Sequence, residues 1–244
     1  MGMNLAAKYY LKSLQNSFLI ALGVILGIIL SSGGILRFAA SGVVEEYTIS
    51  GFEITFMIFT LVSGLVSFRE SFRFFQQNST SRKSQFMGWA VSLLALSAAE
   101  GVTAVLCGKI LGPFFNYRGI FTQLYESLRT SNGSFLFMVQ EFLWVCMTCL
   151  FLGWAGFAIA LLYYRLSKIG KILVSILVPG ILFILLPIAD LSGYTWLLQK
   201  IVMLMTGYLP GGIYPMVPVI GALVGSVLLA LLSWLMMRRA EVQS

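Results

Sequence analysis

Histidine is absent from this chain of 244 residues. That absence excludes a Ser-His or Cys-His nucleophile pair, a histidine general base and a histidine-ligated zinc or haem. Cysteine is scarce as well, because only Cys107, Cys146 and Cys149 are present and all three lie in apolar segments. Cys146 and Cys149 form a CxxC, but no second pair exists to complete a tetrahedral metal site. We interpret both as small residues on one face of a membrane helix.

Charged residues are also scarce, at 10% of the chain, whereas soluble domains carry about 25%. Hydrophobic residues make up 59%. A chain this apolar cannot cover its surface with polar groups, so its outer faces need lipid as their solvent. About 20 apolar residues span the hydrocarbon core of a bilayer. We therefore predict a single all-α transmembrane domain over residues 1–244 with six transmembrane helices. The predicted spans are residues 17–36, 51–68, 85–108, 135–163, 172–189 and 217–237.

The basic residues predict the orientation of these spans. Six spans place both termini on one side, and the four loops of that side hold 11 of the 16 basic residues. These are Lys8, Lys12, Arg69, Arg73, Arg82, Lys83, Arg165, Lys168, Lys171, Arg238 and Arg239. Loops rich in lysine and arginine stay cytoplasmic, so both termini are predicted inside. The net charge of +7 is thereby explained by membrane orientation, and we expect no nucleic-acid partner.

The N-terminus, at about residues 3–16, has a helical apolar stripe. Ala6, Tyr10, Leu14 and Phe18 recur every four residues, so they share one face of a helix. Lysines and a glutamine fall on another face. This pattern predicts an amphipathic helix that lies in the cytoplasmic interface before span one. The alternative is a solvated extension of that span.

The inner loop at residues 69–84 is unusually aromatic. Phe68, Phe72 and Phe75 follow helical spacing, and residues 78–81 then break the helix and offer N-caps for span three. Exposed aromatic side chains beside positive charge usually mark a docking surface. The loop is therefore predicted to dock a partner. The alternative is a membrane-surface loop whose phenylalanines enter the lipid.

The segment between spans five and six is too short to span. Residues 196–208 are apolar, and residues 209–218 are dense in proline and glycine. Apolar segments of about 10–14 residues are more often re-entrant or interfacial than spanning. We predict a re-entrant hairpin at about residues 196–216, which enters from outside and continues into span six.

Three acidic residues lie within predicted spans: Glu53, Glu100 and Glu141. Inserting a carboxylate into a bilayer costs about 2.5–3.5 kcal/mol. Such residues usually face the bundle interior and are candidates for translocation or gating. The structural alternative is a protonated carboxyl, or one paired across helices with Lys109 or a serine.

Two GxxxG patterns lie in predicted spans one and six, at residues 23–27 and 221–225. Glycines at this spacing let two membrane helices approach closely. Because glycine is common in membrane helices, chance matches are frequent, and the patterns indicate only candidate packing faces.

The order of these features resembles the permease subunits of bacterial ABC exporters of the type-2 (ABC-2) family, in particular the small permeases of Gram-positive bacteria. The most specific local match is residues 72–78, followed by residues 81–86, where Ser79 stands in place of the family's glycine. The resemblance implies an exporter in the bacterial cytoplasmic membrane. It also implies that the inner loop is a coupling helix that contacts the ATPase. The implied coupling residues are Phe72, Phe74, Phe75, Asn78, Ser81, Arg82 and Lys83.

The chain has no GxxxxGK[ST] motif, so it has no loop that could cradle nucleotide phosphates. We therefore expect no catalysis and no cofactor in this chain. ATP and Mg would be bound by a partner ABC ATPase in two copies. A second permease copy or a homologous permease, together with membrane lipid, completes the expected partners.

Three other classes remain open alongside this interpretation. A secondary transporter or channel would be expected to show paired broken helices, and one broken region is evident. A membrane enzyme would need a Ser/Lys or carboxylate site, and a scaffold or immunity subunit would not transport. The substrate, for which peptide, drug and lipid are all candidates, is not selected by the sequence.

Overall fold

A computed structural model of the chain describes residues 3–39, 49–78, 80–115, 117–131, 134–180 and 195–238, and almost all of them are helical. The helices are α1 (Met3–Ala39), α2 (Phe52–Gln77), α3 (Arg82–Phe115), α4 (Ile120–Leu124), α5 (Glu126–Ser131), α6 (Ser134–Arg165), α7 (Lys168–Gly180), α8 (Thr195–Thr206) and α9 (Met216–Arg238). Strand β1 (Ile49–Ser50) pairs in parallel with β2 (Tyr117–Arg118). Strands β3 (Tyr208–Leu209) and β4 (Gly212–Ile213) form an antiparallel hairpin.

Four helices in the described ranges are long and apolar enough to cross a membrane. They are Leu5–Ser31, Arg82–Phe114, Phe135–Arg165 and Met216–Arg238, and Phe52–Phe68 is a shorter apolar stretch. Large apolar side chains such as Ile20, Ile110 and Leu228 face outward, as lipid-facing residues do. The chain is therefore an all-α membrane protein, as its composition predicts. Of predicted span five, the structure describes only the part within α7, and residues 181–189 lie outside the described residues.

Helix α6 lies at the centre of the bundle and packs against α2, α3 and α9, while α1 packs against α3. The crossing of α2 and α6 depends on Gly64 and Gly156. A Cβ at Gly64 would come within 2.9 Å of the backbone nitrogen of Phe157, and a Cβ at Gly156 would overlap the carbonyl oxygen of Leu61. The two backbones therefore touch because neither glycine has a side chain.

The GxxxG glycines of the sequence are placed differently. A Cβ at Gly23, Gly27 or Gly221 would meet nothing within 4 Å, so these three lie on open faces. Gly225 packs against the ring of Phe151. Within the described residues, the close helix crossing is formed by glycines that do not follow this motif.

The N-terminal stripe packs against protein. Helix α1 runs without a break from Met3 to Ala39, so residues 3–16 are not a separate helix. The side chains of Ala6, Tyr10, Leu14 and Phe18 are buried, as an apolar stripe should be. The ring of Tyr10 packs edge-on against Trp89 of α3, and Ala6 lies against Gly88. The stripe thus packs against α3, whereas the sequence predicted that it lies in the membrane interface.

The aromatic inner segment is the continuation of α2 and not a separate helix. Phe68, Phe72 and Phe75 are fully buried, because Tyr164 of α6 covers the first two rings and Tyr10 of α1 covers the third. The predicted exposure of these three rings is therefore wrong. The predicted break is confirmed, since α2 ends at Gln77 and α3 begins at Arg82.

The bundle has a basic end. The first turns of α1, the turn at residues 78–81, the end of α6 and the end of α9 meet there through the contacts of Tyr10 with Phe75, Phe72 with Tyr164 and Arg82 with the Arg238 carbonyl. Segments that carry lysine and arginine are thus gathered on one side of the molecule. Glu53, Gly119, Tyr125 and Tyr208 lie at the opposite end with their partners.

The breaker-rich segment before α9 forms the β3–β4 hairpin. Gly207 ends α8 with a φ of +71°, a left-handed conformation that favours glycine. The hydroxyl of Tyr125 donates to the Thr206 carbonyl at 2.7 Å, and that of Tyr208 donates to the Leu124 carbonyl. Burial raises the pKa of Tyr125 to about 12, so this hydroxyl remains a donor at neutral pH. The hairpin is thereby tied to α4.

Candidate functional site

Two of the three predicted intramembrane acids meet at the end of the bundle opposite the basic residues. Glu53 lies in the first turn of α2 and Glu141 lies two turns into α6, and both are buried. A Cβ built on Gly119 would overlap Oε1 of Glu53 and would lie 3.2 Å from Oε1 of Glu141. The two carboxyl groups therefore converge on one glycine, which belongs to the segment that joins α3 to α4.

Gly119 is the position on which the two carboxyl groups close. Its backbone has φ −60° and ψ 156°, an extended conformation that any residue adopts. Backbone geometry therefore does not require glycine here. A Cβ at this position would overlap Oε1 of Glu53, so the missing side chain is what lets the two carboxyl groups pack this close to the backbone.

A cavity of about 520 Å³ opens beside this pair. Its wall combines carboxyl, hydroxyl and basic groups with apolar side chains and small residues. The lining residues are Val105, Gly108, Lys109, Gly112, Pro113, Tyr117, Arg118, Gly119, Thr122, Phe137, Met138 and Glu141. Its volume falls within the range of about 300–1,000 Å³ typical of small-molecule sites.

Tyr117 contributes a buried hydroxyl to the cavity wall. Pairing of Ile49 with Tyr117 across β1 and β2 places the ring beside the start of α2, where it packs against Phe52. The side chain is 5% exposed, and its hydroxyl faces the Glu53 carboxyl. Burial and the adjacent Glu53 carboxyl raise the pKa of Tyr117 above its ordinary value. The hydroxyl is therefore neutral and polar, and it borders the cavity.

Glu53 is fully buried, and the Ile120 backbone N–H and the Tyr117 hydroxyl are polar neighbours of its carboxyl. A buried carboxyl needs such neighbours, because it has lost its hydration.

Basic side chains stand nearer the surface of the cavity. Lys109 and Arg118 are exposed and line it. Nη1 of Arg118 lies 3.2 Å from Oε1 of Glu126, an ion pair in which both side chains are well exposed. The cavity thus has an acidic, buried side and a basic, solvated side.

The third acid, Glu100, lies apart from this site. The hydroxyl of Thr60 in α2 donates to its Oε1 at 2.5 Å, and the thiol of Cys149 in α6 faces the same carboxyl. The carboxyl therefore joins three helices in the middle of the bundle. Thr60 is its partner, where the sequence suggested Lys109 or a serine.

The residues predicted to couple to an ATPase are divided by the structure. Phe72 and Phe75 are buried inside the bundle and Arg82 is half-buried, so the two rings are not available to a partner in this structure. Phe74, Asn78, Ser81 and Lys83 are exposed.

Two of these residues organise the turn. Ser81 caps α3, because its Oγ accepts the backbone N–H of Ser84 at 3.1 Å. The guanidinium of Arg82 donates to the Arg238 carbonyl at 2.6 Å and so binds the end of α9. The turn is therefore joined to a third membrane helix.

Single-sequence reasoning missed Tyr117, Gly119 and Thr60. An acid in an apolar run stands out, but a tyrosine, a glycine or a threonine carries no such signal. No cluster of three or more His, Cys, Asp or Glu side chains able to hold a metal occurs among the described residues.

The chain was compared with protein-family models, with curated proteins and with solved structures, and no match was found in any of the three comparisons.

Proposed function

We propose that this chain is the membrane-spanning permease subunit of an ATP-driven ABC exporter. The observation that carries the proposal is the polar turn at residues 78–81, which stands beyond the apolar part of α2. The apolar stretch ends at Phe68, yet the helix continues to Gln77. That extension is about 14 Å long at 1.5 Å per residue. Its rings pack against α1 and α6, so the extension holds the turn in a fixed position at the basic end, where a soluble partner can reach its exposed residues.

The exposed surface of this extension suits protein contact. The ring of Phe74 is 44% exposed and stacks on Tyr9 at 5.2 Å between centroids. Asn78, whose side-chain amide donates to the Phe74 carbonyl, is exposed, and Lys83 at the start of α3 is exposed as well. Aromatic residues are enriched at interface centres and polar residues at the surrounding rim, so an exposed ring bordered by polar side chains suits a protein contact.

A force on the turn would move several helices, because the turn is bonded to them. The turn joins α2 to α3 directly, and Arg82 bonds it to the end of α9. Closure of two ATPase subunits would therefore act on three membrane helices through one contact. Export follows in this proposal from the alternating access that such movement produces.

The finer topology belongs to the same proposal. Span five would consist of α7 together with residues 181–189, and α8 with the β3–β4 hairpin would form the re-entrant element before span six. The basic end would face the cytoplasm of a bacterial cell, with both termini inside. ATP and Mg would be bound by the two ATPase subunits, and a second permease copy or a homologue would complete the pore.

Co-purification with the ATPase encoded by the neighbouring gene tests the proposal. We expect a stable complex and nucleotide hydrolysis in the purified assembly. The double variant Phe74→Ala, Lys83→Ala should lower ATPase affinity about thirtyfold, since a central aromatic contact of this kind contributes about 2 kcal/mol. Phe135→Ala, Lys109→Ala is the matched control, because both residues are exposed at the opposite end.

Membrane-fraction yield verifies that each variant inserts. Absence of an ATPase from the purified wild-type chain, together with no effect of nucleotide, would exclude this function. Equal loss in the control variant would show that the turn is not the contact.

A secondary transporter is the second candidate, and the buried carboxyl groups at two levels of the bundle favour it. Carboxyl relays carry protons in such proteins. Proton-gradient-driven substrate movement by the chain alone in liposomes, without nucleotide or partner, would select this candidate.

A further inference from the structure

We infer that the cavity between α3, α4 and α6 binds an anionic amphiphile, a phosphate group carried on an apolar stem, with the phosphate at Lys109 and Arg118. This inference does not depend on the proposed function, since it concerns the opposite end of the molecule from the polar turn. It rests on the two cations of the cavity wall, on the apolar surface behind them and on the depth of Lys109 in the bilayer.

Two cations from different segments share the mouth of this cavity. Lys109 comes from α3 and Arg118 from β2, and both side chains are exposed where they line the wall. Lys109 forms no ion pair with any of the described residues. Arg118 uses Nη1 for Glu126, and a guanidinium has five N–H donors in all, so others remain for a ligand. Guanidinium and ammonium groups both bind phosphate oxygens through charge-assisted hydrogen bonds.

Membrane orientation does not explain these two cations. The loops of the basic end hold 11 of the 16 basic residues, whereas Lys109 and Arg118 lie beside Gly119 at the opposite end. Basic residues there oppose the charge asymmetry that orients a membrane protein. Binding of an anion accounts for their place at one opening.

The carboxyl group of the cavity wall determines where the phosphate lies. Glu141 lines the buried side of the cavity, and its side chain is 6% exposed. An ionised carboxylate repels a phosphate, whereas Lys109 and Arg118 attract it. The phosphate therefore lies at the solvated mouth, and the stem extends along the wall.

The rest of the wall selects the stem. Apolar surface within the same cavity is supplied by Val105, Pro113, Phe137 and Met138. Each methylene group transferred there from water strengthens binding about fourfold. An alkyl phosphate therefore fits the site better than inorganic phosphate.

Two glycines one helical turn apart give the stem its room. Gly108 and Gly112 both line the cavity from α3. A Cβ at Gly108 would lie 3.8 Å from Oε1 of Glu141, and a Cβ at Gly112 would lie 3.6 Å from the Tyr117 carbonyl oxygen. Both are ordinary contact distances, so a larger side chain at either position would occupy the cavity without first displacing the backbone.

Lys109 lies at the depth of lipid phosphates. Helix α3 has 34 residues and is about 51 Å long, so it extends about 10 Å beyond each side of a hydrocarbon core of about 30 Å when it is centred. Lys109 lies about 9 Å from the end of α3 at Phe115, at the boundary between acyl chains and headgroups. The phosphate of a membrane lipid and a soluble alkyl phosphate both reach this depth.

Calorimetric titration of the full chain in uncharged maltoside micelles tests the inference. The probes are hexyl phosphate, hexan-1-ol, which keeps the stem without the charge, and inorganic phosphate, which keeps the charge without the stem. We expect saturable binding of hexyl phosphate and binding of the other two that is weaker by about tenfold or more. Equal affinity of the wild type for hexyl phosphate and either of the other probes would overturn the inference.

Charge variants test the two cations. Lys109→Gln and Arg118→Gln should each weaken hexyl phosphate binding about fivefold, which corresponds to about 1 kcal/mol for a basic residue near an anionic lipid. Lys200→Gln removes the same charge outside the cavity, where Lys200 lies over the Trp196 ring, and should bind as the wild type does. Unchanged affinity in both the Lys109 and the Arg118 variants, at wild-type melting temperatures, would overturn the inference.

Two further variants separate binding from structure. Glu126→Gln removes the ion pair and leaves the Arg118 guanidinium, so affinity for hexyl phosphate should stay equal or rise. A loss equal to that of Arg118→Gln would assign the effect to the ion pair and overturn the role of Arg118. Gly108→Leu should abolish binding by filling the cavity, whereas Gly221→Leu adds the same side chain on an open face of α9 and should bind normally.

Lipid added to the micelles identifies the source of the phosphate. Phosphatidylglycerol has a phosphate without an ammonium group, and phosphatidylcholine has the same phosphate beside a quaternary ammonium. Competition with hexyl phosphate by phosphatidylglycerol alone supports an anion site that a membrane lipid occupies. No competition by either lipid supports an anion site for a soluble amphiphile. Equal competition by both lipids would overturn the inference, because the site would not distinguish an anion from a zwitterion.

Discussion

At the scale of single residues, two buried carboxyl groups connect different parts of the bundle. The Glu100 carboxyl accepts the Thr60 hydroxyl at 2.5 Å, and this bond joins α2 to α3. The Glu53 carboxyl lies beside the Tyr117 hydroxyl at the end of the bundle. The same residue type thus links two helices in the middle of the bundle and contacts the segment after α3 at its end.

The link at Thr60 should contribute measurably to stability. Thr60→Val leaves the Glu100 oxygen unpaired and should lower the free energy of unfolding by about 1–3 kcal/mol. Thr103→Val is the matched control, because the Thr103 hydroxyl bonds only to the Ala99 carbonyl of its own helix. Unfolding in mixed micelles measures both variants. Equal losses of unfolding free energy in the two variants would show that the bond between α2 and α3 stabilises the protein no more than a bond within one helix.

The sequence predicted these residues only in part, for a physical reason. Acids in apolar runs are conspicuous, so Glu53, Glu100 and Glu141 could be identified as candidates. Their partners come from distant segments: Tyr117 and Gly119 lie more than sixty residues beyond Glu53, and Thr60 lies forty before Glu100. Which acid meets which partner depends on helix packing, and a single sequence does not specify it.

At the scale of helices, the crossing of α2 and α6 is the tightest packing described. Gly156→Ala should destabilise the bundle by about 1–3 kcal/mol, the usual cost of overpacking, because the added Cβ would overlap the Leu61 carbonyl. Gly221→Ala adds the same atom on an open face and should be neutral or stabilising. Thermal unfolding in detergent compares the two. A milder effect at Gly156 than at Gly221 would contradict this account.

Hydrophobicity located three of the long helices, although α3 continues to Phe115, past the predicted end of its span at residue 108. The predicted spans 85–108, 135–163 and 217–237 each lie within a described helix, and the break at residues 78–81 is confirmed. The buried state of Phe72 and Phe75 was not predicted. Their spacing fits a lipid face, a partner face or an internal face equally well, and only the positions of Tyr10 and Tyr164 decide among these.

At the scale of the whole molecule, the separation of the two ends gives the chain a polarity that labelling can test. Lys83 and Glu126 are both exposed charged residues, one at each end. In a background with Cys107, Cys146 and Cys149 changed to alanine, Glu126→Cys should react with an impermeant maleimide in intact cells. Lys83→Cys should react only after permeabilisation. The reverse pattern would invert the proposed topology.

The unequal lengths of the helices have a mechanical consequence for the surrounding lipid. The apolar stretch Phe52–Phe68 of α2 is about 26 Å long, shorter than the 30 Å or so of hydrocarbon in an average bilayer. Helices α3 and α6 exceed that thickness. Acyl chains beside α2 must therefore shorten or tilt, and this mismatch costs a fraction of a kcal/mol per Å. Bilayer thickness thus acts as a force on the helix that has Glu53 at one end and leads into the polar turn at the other.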